Sequence, residues 1–439
     1  MVQKTVVSQE RKLAGLFTWA IIGNVATAIG QAVIVVAIVR VFGNHALGTY
    51  ALAMSIAAPI FLCTQMQLRA VVATDAKNCF AFDSFWRLRV RTNAIACLTC
   101  GLIALAFREA SASLMLVLVG LLKSSEGLSD IGYGLLQKHE RIGEIGLSKT
   151  IRALGTVSLF IVALLLGGSL PVAVVAITVF GYCCFFGWDR WRIRQALSEE
   201  PASSGVQAGD AWKSVLKLAA PLGVVALLTS LQTTVPRYVI DGTADRQELG
   251  VYAAISYFCA VLAIATSAVM QSIGSRLARR WGANDVRAFR AAVNQTALVG
   301  AVTSMMVIGF TAVFGGIALQ TVYGAGYGEK GGILSLLVAA ACISAQSSLL
   351  ITALQSMRRF GDILKASLYG FVVCLFGSLV LIPALGIVGA AMTAIFTNAT
   401  VFGRLLVGSR AGLYERRSQA GVPSNAVPAE TLRRRGAAA

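Results

Sequence analysis

The sequence predicts an all-α polytopic integral membrane protein of about twelve transmembrane helices, in two six-helix lobes related by a pseudo-two-fold axis along the membrane normal. Three observations carry that expectation: the apolar content, the placement of basic residues along the chain, and an internal repeat. Of 439 residues, 56% are hydrophobic, and a bilayer-spanning helix uses roughly 20 residues. Twelve spans, about 240 residues, would therefore take up nearly all of the apolar residues. Charged residues make up 13%, about half the share of a soluble domain, which excludes a soluble enzyme, a coiled coil and a wholly disordered chain.

The spans follow in order as apolar runs of near-bilayer length. The first, 13–39, comes after Lys4, Arg11 and Lys12 and is too long for the apolar core of a signal peptide, so it is read as an uncleaved helix. Runs at 48–68, 93–107, 114–136, 150–166 and 170–188 complete the first six, with the third and fifth the shortest. After a polar stretch at 189–211, six more lie at 215–240, 251–273, 291–314, 333–354, 366–384 and 386–406. The domains expected from this are a cytoplasmic N-terminus (1–12), an N-lobe (13–188), a cytoplasmic linker (189–211), a C-lobe (212–408) and a disordered cytoplasmic tail (409–439).

Basic residues test the count, since a missed helix would put every later loop on the wrong side. With the N-terminus cytoplasmic, 32 of the 38 Lys and Arg fall in inside segments and five outside (Arg40, Arg108, Arg237, Arg246 and Lys330); Lys123 lies within the fourth span. In a soluble protein the net charge of +18 would suggest nucleic acid. Here it reads as topology, and no nucleic-acid partner is expected.

The two halves share short matches in the same order. Leu47-Gly48-Thr49-Tyr50 opens the second span and Leu249-Gly250-Val251-Tyr252 the eighth. Leu136-Gln137 followed by Arg141-Ile142-Gly143-Glu144 ends the fourth, and Leu354-Gln355 followed by Arg359-Phe360-Gly361-Asp362 ends the tenth. Six-helix units both enter the membrane from one side, which places the second lobe parallel to the first and a substrate cleft between them.

Charge at membrane depth marks a candidate site. Lys123, Glu126, Asp130, Tyr133, Gln137 and Arg141 recur at steps of three and four and share one face of the fourth span. Two readings stay open: a hydrophilic lumen wall with Glu126 or Asp130 as a protonatable, ion-coupling group, or an internal Lys123–Glu126–Asp130 network that only anchors the helix. The repeat carries Lys123, Glu126 and Asp130 onto Ala341, Ser344 and Ser348, so the charges belong to the N-lobe alone. Asn24, Thr27 and Gln31 on the first span, and Gln232 near Pro236 in the seventh, line a path or bond helix to helix. Arg40, Arg69, Arg152 and Arg237 sit near span ends, where they either snorkel to the interface or turn inward to hold a diphosphate by forked hydrogen bonds.

Nine cysteines are expected as free thiols, because eight lie in apolar segments and Cys79 in a cytoplasmic loop. The Cys97–Cys100 pair reads as small packing residues rather than a redox motif. Two histidines, His45 and His139, cannot build a metal site unaided. No metal, cofactor or catalytic residue is expected.

The Leu-Gly-x-Tyr pair, the run Leu68-Arg69-x-Val71-Val72-Ala73-Thr74-Asp75, Leu218-Ala219-Ala220-Pro221-Leu222-Gly223 and Tyr323-Gly324-x-Gly326-Tyr327 resemble the polysaccharide-biosynthesis flippases of the Wzx type. These belong to the multidrug/oligosaccharidyl-lipid/polysaccharide exporter (MOP) superfamily, and the resemblance spans roughly residues 10–408. It implies a MATE-like fold in the bacterial inner membrane with both termini cytoplasmic, and alternating access around a central cavity. It further implies an undecaprenyl-diphosphate-linked oligosaccharide as substrate for capsule, exopolysaccharide or O-antigen synthesis, coupling to H+ or Na+, and a polymerase and export machinery as partners. The rival within the superfamily is a MATE-like multidrug or cation antiporter, which typically carries a carboxylate on its first helix. This first span offers Asn24, Thr27 and Gln31 and no acid. A pathway enzyme with a large catalytic outer loop and a non-transporting scaffold are the remaining alternatives; the expected outer loops are short, and no Walker-type loop for ATP is present.

Overall fold

The computed structural model describes residues 2–75, 80–199 and 211–420, and every regular element among them is helical. In order these are α1 (Val2–Gln65), the short α2 (Leu68–Thr74), α3 (Phe82–Leu105), α4 (Ala110–Lys138), α5 (Ile142–Leu165), α6 (Leu170–Cys184) and α7 (Arg190–Ser198). There follow α8 (Ala211–Thr243), α9 (Arg246–Gly282), α10 (Val286–Tyr323), α11 (Gly331–Ser356) and α12 (Phe360–Ala420). Cys79, residues 200–210 of the expected linker and residues 421–439 of the tail lie outside the described residues.

At 1.5 Å per residue, α1 and α12 would each be about three bilayers long if straight. Each instead turns at one glycine. Gly43 (φ 80, ψ 178) ends the first span and starts the second, and Gly386 (φ 58, ψ −135) does the same for the eleventh and twelfth. Glycine is required there because a side chain disfavours positive φ. Nine helical stretches among the described residues are long and apolar enough to cross a membrane; splitting α1 and α12 at their glycines and adding α8 gives twelve. The expected eight-residue loop after the first span is thus a one-residue corner.

Other boundaries also move. The third and fifth spans begin at Phe82 and Ile142, well before 93 and 150, because their first turns carry Arg87, Arg89, Arg91, Glu144 and Lys149 and fail a hydropathy window. The sixth does not end at Trp188: a π-helical turn, Phe185–Asp189, leads into α7 without a break. The chain expected to be disordered from residue 409 stays helical to Ala420. Arg141 leaves the polar stripe, since α4 stops at Lys138 and Arg141 caps α5.

The repeat is visible in the backbone. Glu140 and Arg358, 218 residues apart, both take positive φ (58° and 59°). Each is followed by a matching ion pair, Arg141–Glu144 at 2.7 Å and Arg359–Asp362 at 2.6 Å. Gly48 and Gly250 lie against each other across the lobe boundary: a Cβ on Gly48 would collide with the Arg246 carbonyl, and one on Gly250 with the Asn44 carbonyl. The duplicated Leu-Gly-x-Tyr motifs are therefore where the two copies touch backbone to backbone.

The buried core shows how far the lobes are joined. At the end of the molecule bearing the glycine corners, one apolar cluster mixes both lobes, with Val35, Leu47, Tyr50 and Phe61 packed together with Ile240, Leu249, Tyr252 and Leu319. At the end bearing the chain termini the core divides. One cluster there joins N-lobe residues to the start of α8 through Trp212, Val215, Leu216 and Ala219, and the other is built from the C-lobe. Apolar side chains such as Leu298, Met305, Met306 and Phe310 on α10 are exposed, as expected of a surface whose solvent is lipid.

Candidate functional site

A cavity of about 260 Å³ lies within the N-lobe, bounded by α1, α4, α5 and α6. Its lining holds Arg69, Glu126, Asp130, Tyr133, Lys149 and Arg152, together with Thr27, Gln31, Gln65 and Ser129. Helix periodicity explains the acidic wall, since Glu126, Asp130 and Tyr133 project from one side of α4. The cations come from other elements. Arg69 sits on α2, placed by the left-handed turn at Met66 and Gln67, while Lys149 and Arg152 stand on adjacent turns of α5.

Each charge is held by a different partner. Asp130 accepts from Arg69 at 3.4 Å and from Arg89 at 3.5 Å, and Arg89 is almost wholly buried, its side chain 1% exposed. Arg69 also reaches Gln137 Oε1 and lies over the Tyr133 ring. Glu126 takes the Lys123 ammonium at 2.8 Å. Lys149 Nζ donates to Asn24 Oδ1 at 2.8 Å. Arg152 donates to Ser129 Oγ at 2.7 Å and the Gly181 carbonyl at 3.0 Å, and it faces Asp189 at 3.7 Å. Behind the cavity wall Asp189, also buried, accepts from Ser148 Oγ, which bonds in turn to Tyr133. The polar stripe is therefore neither a single ion chain nor a bare wall: Lys123–Glu126 is one pair, and Asp130 belongs to arginines from α2 and α3.

Of the residues singled out in the sequence, the structure brings Thr27, Gln31, Arg69, Glu126, Asp130, Tyr133 and Arg152 together around this space. Asn24, Lys123 and Gln137 stand just behind it as hydrogen-bond partners. Three others lie elsewhere. Arg40 donates to the carbonyls of Thr321 and Val322 at 2.6 and 2.8 Å and ties the lobes together near the Gly43 corner. Arg237 joins α8 to α1 through Ser55 Oγ at 3.3 Å. Gln232 donates to the Ser367 carbonyl at 2.7 Å and binds α8 to α12 inside the C-lobe.

Sequence reading missed Lys149, Arg89 and Asp189. Lys149 and Arg89 fell in expected loops and Asp189 in the expected linker. The available signal was the i, i+4 spacing of Ser148 with Arg152 and the continuation of helix period through Arg87–Arg91, both visible only once the spans are allowed polar first turns. Eight cysteines are free thiols, Cys97 and Cys100 among them, and Cys100 packs where Gly120 leaves room. No group of three metal-ligating side chains occurs among the described residues.

The equivalent place in the C-lobe is a cavity of about 360 Å³ lined by Cys259, Thr266, Ala341, Ser344, Ser348 and Thr352. Ala341, Ser344 and Ser348 are the repeat counterparts of Lys123, Glu126 and Asp130, and among the described residues no charged side chain lines this second cavity.

Among solved structures, the chain superimposes on the MATE multidrug transporter DinF-BH with a TM-score of 0.69 over 92% of this chain and 96% of that one, at 15% identity. Its fold is that of a MATE-type transporter of the MOP superfamily. A MOP superfamily transporter from Pyrococcus furiosus, described as having a binding pocket of reversed polarity that suggests a different function, matches with a TM-score of 0.63 at 12% identity, covering 93% of this chain and 96% of that one. In sequence, the capsular polysaccharide biosynthesis protein CapF of Staphylococcus aureus is 23% identical over 377 residues, 86% of this chain and 94% of its own length. No family model matches the chain. The MATE-type fold of two six-helix lobes, together with nine stretches long and apolar enough to cross a membrane among the described residues, agrees with a multi-pass membrane protein.

Proposed function

We propose that the protein moves a lipid-linked oligosaccharide, carried on undecaprenyl diphosphate, from the cytoplasmic to the outer leaflet of the bacterial inner membrane for surface polysaccharide synthesis. The observation that carries this reading is the charge of the N-lobe cavity, where Arg69, Lys149 and Arg152 outnumber Glu126 and Asp130. A cationic surplus suits an anionic headgroup, and guanidinium forks match diphosphate oxygens. The similarity to CapF, a capsular polysaccharide biosynthesis protein, supports a part in surface polysaccharide synthesis. The uncharged, hydroxyl-bearing cavity of the other lobe suits sugar hydroxyls, since Ser348 and Thr352 spend their protons on backbone carbonyls and keep lone pairs free. Sugars cannot cross hydrocarbon, so the headgroup travels through the polar interior while the polyprenyl chain stays in lipid.

Two lobes that share one apolar cluster at the corner end support alternating access by movement of one lobe against the other, with the termini cytoplasmic. Coupling to H+ or Na+ falls to Glu126 or Asp130. Glu126, whose side chain is 41% exposed in the cavity, also supports the second reading, a cation antiporter. In a deletion strain, lipid-linked repeat units should accumulate on the inner leaflet and surface polysaccharide should be lost. Persistence of surface polysaccharide with no accumulated intermediate, together with new sensitivity to cationic dyes, would instead favour the antiporter.

A further inference from the structure

A groove on the flank of the C-lobe plays no part in the transport reading. It encloses about 1060 Å³ between α10, α11 and the last turns of α12, at the upper end of the volumes that hold small ligands. Its mouth is basic. Arg287 and Arg290 on the first turns of α10 and Arg410 on α12 line it, all three exposed and none with a hydrogen-bond or ion-pair partner among the described residues. The acid in the lining, Asp285, is turned to the helix backbone, where its Oδ1 accepts from the Ala288 amide at 2.9 Å.

Below the mouth the walls become apolar, with Leu349, Leu350, Phe402 and Leu406. From Arg287 to Ala297 the groove descends ten residues along α10, about 15 Å, from the polar end of the helix into its apolar run. Farther along, the outward face of α10 is Leu298, Met305 and Met306, all exposed and facing lipid. The arginines therefore stand at headgroup depth and the apolar wall at acyl-chain depth.

We propose that this groove binds an anionic membrane phospholipid, its headgroup phosphate between Arg287, Arg290 and Arg410 and an acyl chain against Leu350, Phe402 and Leu406. Charge complementarity selects an anion, and the apolar wall beneath selects one that carries a hydrocarbon chain. Basic pockets between helices on the cytoplasmic side suit such lipids, and this groove lies at the end of the molecule that carries the chain termini.

The test uses full-length protein, delipidated in neutral detergent and titrated with phosphatidylglycerol, phosphatidylcholine or inorganic phosphate, with bound ligand read by native mass spectrometry. One phosphatidylglycerol should be retained per chain, and the Arg287→Gln/Arg290→Gln/Arg410→Gln variant should raise its apparent Kd at least about tenfold. Arg190→Gln/Arg194→Gln/Lys217→Gln removes the same charge elsewhere at that end and should leave Kd within about twofold. Ala297→Trp fills the groove floor with all three arginines in place and should weaken binding as the arginine variant does, which keeps the test decisive if that variant folds poorly. Equal loss in both triple variants, equal retention of phosphatidylcholine, full displacement of lipid by inorganic phosphate, or unchanged binding in Ala297→Trp would each overturn the proposal.

Discussion

The two lobes are copies of one six-helix unit, yet their equivalent cavities differ in kind. The N-lobe cavity has Glu126 and Asp130 facing cations from α2 and α5, whereas the C-lobe cavity presents Ser344 and Ser348 at the same repeat positions. What the copies keep is backbone: the positive-φ turns at Glu140 and Arg358, the Arg-to-acid pairs that follow them, and the glycine contact at Gly48 and Gly250. What they lose is charge. A membrane lobe can drop a buried ion cluster without unfolding, because its backbone hydrogen bonds close within each helix. Retention of the cluster in one lobe alone argues for a task the other lobe does not share.

The largest effect should come from the feature the lobes have in common. Gly48→Leu or Gly250→Leu forces side-chain atoms into a backbone contact and should cost about 1–3 kcal/mol or more by overpacking, seen as a fall of several degrees in Tm in detergent and as lost export. Matched effects at both positions would show that the joint is symmetric; a strong effect at one alone would break that comparison. Next comes Asp130→Asn, which leaves Arg89 buried with its main counter-charge gone. Stability should fall on the order of 1–2 kcal/mol, less than for a fully buried pair because the Asp130 side chain is 30% exposed, and a second change, Arg89→Met, should restore most of it in thermal unfolding.

Lys149→Met sharpens the contrast in function rather than stability. It removes a charge facing the cavity, so export of polysaccharide should drop about tenfold, in keeping with the ~1.5 kcal/mol of one hydrogen bond to a charged group, while Tm changes little. A wild-type rate would remove Lys149 from the substrate path. Ser344→Glu transfers a charge to the C-lobe cavity and should slow export of an anionic substrate several-fold; an unchanged rate would mean that this cavity does not meet the headgroup. The smallest effect is expected for Arg40→Ala, which loses two backbone hydrogen bonds at an exposed lobe contact and should cost about 1 kcal/mol or less, measured by thermal unfolding.

Much of this was legible in one dimension. The positive-inside pattern and the anchors at Leu47 and Leu249 gave twelve helices and the duplication, and the steps of three and four along α4 placed Glu126, Asp130 and Tyr133 on one face. The arginines were not sortable. Arg40, Arg69, Arg152 and Arg237 look alike in the sequence, each a cation near a span end, yet two line the cavity and two bind the lobes to each other. The deciding partners are 61 residues from Arg69, 23 from Arg152 and more than 180 from Arg40 and Arg237.

By itself the sequence determined about twelve apolar spans and their internal symmetry, and its basic loops predict which side faces in. Hydropathy sums over a local window, and loop charge acts on each segment as it inserts, so both properties are set before any helix meets another. Only the tertiary structure decided where the charges go. The fate of a cation at a helix end depends on which distant carboxylate, carbonyl or hydroxyl the packed helices bring to it. Burial then lowers the local dielectric, so that the pairing, rather than the helix end itself, settles the side chain's position.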